Sequence, residues 1–159
     1  MEDRTYINIL TDTLLKKAEL LDQLTQITAK QEAIISSESP DMESLEHTFS
    51  EKETYILKLN QLDDGFDKVY HRVREAFQIN KELYKEQILV LQELIRSVTD
   101  KGARLQAMEL RNKSRFQVFF SGKKKDIKNF KVSSRMANNY YKNAMNQQPG
   151  ESFFVDKKN

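Results

Sequence analysis

Fifty-five consecutive residues, Phe66 to Phe120, pass without a proline and with Gly102 as their one glycine. Every third or fourth position through that stretch is apolar or aromatic: Phe66, Tyr70, Val73, Phe77, Tyr84, Leu91, Leu94, Val98, Leu105 and Met108, with Asn80, Gln87 and Lys101 as the polar gaps. This is an a/d stripe, widened on one flank by Val69, Ala76, Leu83 and Val90. A single helix of that length measures about 80 Å at roughly 1.5 Å per residue. One apolar stripe cannot bury itself, so other helices must cover it.

The residues upstream have the pattern to do so. From Arg4 to Ser36, Ile7, Leu10, Leu14, Leu21, Leu24 and Ile35 fall on one face, joined by Leu20, Ile27 and Ile34. Lys17, Thr28 and Gln31 interrupt that face, which predicts a loosely specified register there. Ser36-Ser37-Glu38-Ser39-Pro40-Asp41 marks a boundary: Ser39 is the expected cap of a second helix, with Pro40 at its first position. The second helix carries Leu45, Phe49, Ile56, Leu59 and Leu62; near Asp64-Gly65 a break is the preferred reading, and a continuous helix that tolerates Gly65 is the alternative. Acid-then-base pairs at i,i+4, among them Asp100–Arg104 and Glu109–Lys113, support the exposed side of the third helix.

The expected architecture is therefore all-α. It is an elongated, coiled-coil-like antiparallel bundle of about three long helices over residues 1–120, with a flexible C-terminal tail over 121–159. The charge divides at nearly the same place. Residues 1–101 carry 13 Lys/Arg against 20 Asp/Glu, and residues 102–159 carry 13 against 4. Such asymmetry marks a body with an interaction segment. In that segment Lys123-Lys124-Lys125 precedes Ile127, Phe130, Ala137, Tyr141 and Ala144 at helical spacing, a weak amphipathic pattern suited to folding on a partner.

Catalysis finds no support in the residues. There are no cysteines, and the two histidines, His47 and His71, sit among charged residues on helices. No metal-ligand spacing and no glycine-rich phosphate loop occurs, so neither enzyme activity nor a cofactor is expected. The start, Met1-Glu2-Asp3-Arg4, has no apolar run after it, and 18 apolar residues nowhere run together. Neither a signal peptide nor membrane insertion is expected, and a cytoplasmic location is. Two features suggest binding instead. Phe116 and Val118-Phe119-Phe120 either finish the core or await a partner. The basic, aromatic segment suits either protein docking or a merely solvated tail, with nucleic acid as the less favoured partner.

The layout resembles the FlgN family of flagellar export chaperones. The resemblance rests on Gln31-Glu32-Ala33-Ile34-Ile35 closing the first helix, and on Leu45-Glu46-His47-Thr48-Phe49-Ser50-Glu51-Lys52-Glu53 running into Leu59-Asn60-Gln61-Leu62-Asp63. It extends through Gln106-Ala107-Met108-Glu109-Leu110-Arg111-Asn112-Lys113 to a tail with Tyr140-Tyr141, Pro149-Gly150 and Phe153-Phe154-Val155-Asp156-Lys157-Lys158. The resemblance implies a cytoplasmic type III export chaperone. It would hold the C-terminal helices of hook-associated (hook–filament junction) proteins, prevent their premature assembly and deliver them to the flagellar export gate. Carried onto this chain, the client surface is Leu105, Met108, Phe116, Val118, Phe119, Phe120, Ile127 and Phe130, and Tyr140 and Tyr141 are the residues for docking at the gate. A homodimer in the client-free state stays open. The rivals are a structural coiled-coil adaptor and a helical body with an RNA-binding basic tail.

Overall fold

The computed structural model describes residues 2–122. They form four α-helices: α1 (Glu2–Ile35), α2 (Met42–Asp63), α3 (Phe66–Ile79) and α4 (Lys85–Gly122). No strand occurs among the described residues, so the all-α expectation is met, with one helix more than expected.

The extra helix arises because the long third element is interrupted at residues 80–84. Asn80 leaves the helical region, at φ −129° and ψ 56°, while its N–H still donates to the Ala76 carbonyl. Helical bonding resumes at once, with Tyr84 N–H donating to Asn80 O (3.2 Å) and Ile88 N–H to Tyr84 O (2.9 Å). No proline or glycine is needed. Asparagine is a poor helix-interior residue because its side chain competes for backbone groups. The cost is offset by packing across the interruption, where the buried rings of Phe77 and Tyr84 lie 5.8 Å apart.

The earlier breaks have simpler causes. Gly65 sits at φ 78°, in the left-handed region that glycine enters without a Cβ clash. It ends α2 and starts α3, as the Asp64-Gly65 pair predicts. Between α1 and α2 the cap is Asp41 rather than Ser39. The Asp41 carboxylate accepts from Glu43 N–H (3.1 Å) and from the Ser44 hydroxyl (2.8 Å), and its carbonyl accepts from Leu45 N–H (3.0 Å). A carboxylate serves two donors and complements the positive end of the helix dipole, which a serine hydroxyl two residues earlier cannot do. Those same hydrogen bonds, with the one from Ser44 foremost, hold the Asp41 carboxyl below the usual aspartate range.

The helices pack as two compact units. Within the described residues the first comprises 2–21 and 58–102, and the second 22–57 and 103–122. The core of the first joins Ile7, Leu10 and Leu14 of α1 to Tyr70, Val73 and Phe77 of α3 and to Leu91, Ile95 and Val98 of α4. Lys17, which reads in sequence as a flaw in the apolar face, is buried there and donates to Asp63 Oδ1 at 3.0 Å. Arg72 ties the start of α1 to α3, 3.6 Å from Asp3 and 5.4 Å from the centre of the Tyr6 ring.

Candidate functional site

The second unit carries the described part of the expected client surface, and the helical repeat sorts its residues into three classes. Leu105, Phe116 and Phe120 are buried, with Phe116 only 1% exposed. Phe116 meets Phe49 of α2 edge-on, with ring centres 5.2 Å apart, and lies 6.3 Å from Phe120. Met108 and Phe119 are half-buried, and Val118 is 75% exposed. Ile127, Phe130, Tyr140 and Tyr141 lie outside the described residues. The inward positions of late α4 are Leu105, Glu109, Asn112, Phe116 and Phe120. Met108 and Phe119, eleven residues apart, come round to one edge of that face, because eleven residues make just over three full turns.

Next to this edge stand three arginines. Arg104, Arg111 and Arg115 are all exposed. Arg115 donates to Glu32 Oε1 (3.0 Å) and to the Ser36 hydroxyl (3.3 Å) at the end of α1. Leu110, 52% exposed, adds a further apolar side chain to the solvent side.

Beneath the surface is a layer that apolar periodicity misses. Thr28 and Gln31 of α1, Thr48 and Lys52 of α2, and Glu109 and Asn112 of α4 are all 0–1% exposed. The Lys52 ammonium donates to Glu109 Oε1 and to Gln31 Oε1, the latter at 2.6 Å. Gln31 Nε2 donates to the Thr48 hydroxyl (3.1 Å), and Asn112 Nδ2 to the Thr28 carbonyl (3.0 Å). The Thr28 hydroxyl, which also lies 2.7 Å from the Leu24 carbonyl, donates to Glu109 Oε1 at 2.8 Å. Loss of hydration holds the Lys52 pKa down at about 8, against the opposing pull of the Glu109 charge. Each group is fixed by a partner on another helix. Thr28 and Gln31 therefore specify register rather than loosening it, a reversal of the sequence expectation. Glu109, which spacing alone assigns to an exposed pair with Lys113, turns inward. The signal was present in the sequence as Thr48/Lys52 at i,i+4 and Glu109/Asn112 at i,i+3, polar residues of complementary charge on core-facing positions.

Chemically, the layer is sealed from solvent and serves the interior. The outer edge of α4 offers apolar contact bordered by positive charge. Among the described residues no group of three or more His, Asp and Glu is placed to hold a metal ion. His47 lies on the surface beside Glu51 at 3.2 Å. No described helix is long and apolar enough to cross a membrane.

No curated protein and no solved structure matches the chain. The sequence model of the FlgN protein family matches residues 1–148, which takes in all four helices and most of the basic segment. On that match the chain belongs to the FlgN family, a family of flagellar export chaperones.

Proposed function

We propose that this protein is a cytoplasmic chaperone for hook-associated (hook–filament junction) proteins. It would bind their C-terminal helices, prevent premature assembly and deliver them to the flagellar export gate. The observation that carries this reading is the outer edge of late α4, where half-buried Met108 and Phe119 and, further round, exposed Val118 sit on a helix that leads into the basic segment. A partner helix laid along that edge would bury its own apolar stripe, the helix-in-groove mode of recognition. A client segment that orders only on binding spends part of the interaction energy on ordering, which keeps the complex releasable.

In this reading the expected client residues divide by role. Met108, Val118 and Phe119 touch the client, and Ile127 and Phe130 extend the contact. Leu105, Phe116 and Phe120 hold α4 in place from inside. Tyr140 and Tyr141 dock at the export gate. The test is to mix the full-length protein with C-terminal segments of hook-associated proteins and run a sizing column. Co-elution as a stable complex supports the assignment, and separate elution of every segment contradicts it.

A further inference from the structure

Resting on that reading, we infer that the partner helix taken by late α4 is acidic along one flank, with carboxylates two turns apart beside its apolar stripe. The argument begins with spacing. Arg104 and Arg111 are seven residues apart, about 10.5 Å along the helix at 1.5 Å per residue. Met108 lies between them, four residues after the first and three before the second, so both arginines border it. Among the described residues neither makes an ion pair, whereas Arg115, one turn further on, is already engaged by Glu32 and Ser36.

Two exposed guanidiniums thus border an apolar edge and form no ion pair among the described residues. Of the two acids near them in sequence, Glu109 is buried at 1% exposure and committed to Lys52 and Thr28, and exposed Asp100, one turn before Arg104, forms no ion pair with it. The charge extends beyond the helix in the same sense, since residues 102–159 carry 13 Lys/Arg against 4 Asp/Glu. A guanidinium fork takes a carboxylate in two parallel hydrogen bonds, so a partner with carboxylates at i and i+7 meets both arginines. Its neighbouring apolar side chains then reach Met108 and Phe119. A polynucleotide would answer the charge but leave the apolar edge uncovered, so the observations favour a polypeptide helix.

The test uses the full chain and two fluorescein-labelled helical peptides. They share one leucine/methionine stripe and differ only in carrying Glu or Lys at two flanking positions two turns apart. Binding is read by fluorescence anisotropy. The Glu peptide is expected to bind at least about tenfold tighter than the Lys peptide, and Arg104→Glu with Arg111→Glu is expected to reverse that order. Equal affinity for the two peptides, or an order unchanged in the reversed variant, overturns the inference. If neither peptide binds while hook-associated C-terminal segments do, the acidic-partner inference falls and the chaperone reading stands. If those segments fail as well, both fall. A uridine oligoribonucleotide that binds more tightly than the Glu peptide, and loses its binding in the reversed variant, overturns the inference in favour of nucleic acid.

Discussion

The Lys52 ammonium of α2 donates to the Glu109 carboxylate of α4 inside the second unit, with side-chain exposures of 0% and 1%. Two opposite charges removed from water gain stability only when each is held by the other and by further hydrogen bonds. Here Gln31 and Thr28 supply those bonds. The pair therefore joins three helices through one point of contact and fixes their relative register.

Removing one partner leaves a buried charge exposed to its own desolvation cost. Lys52→Met is expected to destabilise the second unit by roughly 3–5 kcal/mol, read as a fall in the urea midpoint. Replacing both, Lys52→Met with Glu109→Leu, is expected to recover most of that loss, because an apolar pair of similar volume needs no compensation. A single variant as stable as the wild type would show that the pair is solvated in solution.

The same lysine makes stability depend on pH in a definite direction. Its pKa is about 8 when folded, against 10.5 for an unperturbed lysine. Between those values the unfolded chain binds more protons at this site than the folded one, so stability rises with pH. The contribution is complete above 10.5 and is lost as pH falls through about 8. Urea midpoints across that window are expected to rise in the wild type relative to the Lys52→Met, Glu109→Leu variant. A constant difference would contradict the depressed pKa.

Phe116 and Val118 lie two residues apart and are expected to behave oppositely. Phe116→Ala removes a ring packed against Phe49 and is expected to cost about 3–5 kcal/mol. Val118→Ala, at a 75% exposed site, is expected to stay within about 0.5 kcal/mol. Thermal unfolding followed by circular dichroism separates the two.

The apolar residues were legible from spacing alone, and the polar interior was not. Ile7, Leu10 and Leu14, then Tyr70, Val73 and Phe77, fall in the core as their period demands. The stripe read through Leu94 and Met108 drifts to the edge, and Ile95, Glu109 and Asn112 take the inward places. A 3.5-residue repeat and a 3.6-residue helix part company over such a length. The interruption at Asn80 left no proline or glycine to announce it. Lys17, Thr28 and Gln31 looked like defects because their partners lie on other helices, as far as 81 residues away for Thr28 and Glu109, and pattern counting along one helix cannot see them. At the candidate site the sequence left Phe116 and Phe120 open between core and partner surface, because their burial depends on neighbours such as Phe49.

The most direct measurement is the affinity of the full-length protein for a hook-associated C-terminal segment, with and without Met108→Glu plus Val118→Glu. Both positions lie outside the closed core of α4, so the variant is expected to keep its helical circular dichroism and unfolding midpoint. The account predicts a loss of affinity of at least about tenfold, since two charges would then face an apolar stripe. Undiminished binding by a folded variant would contradict it and place the client elsewhere on the chain.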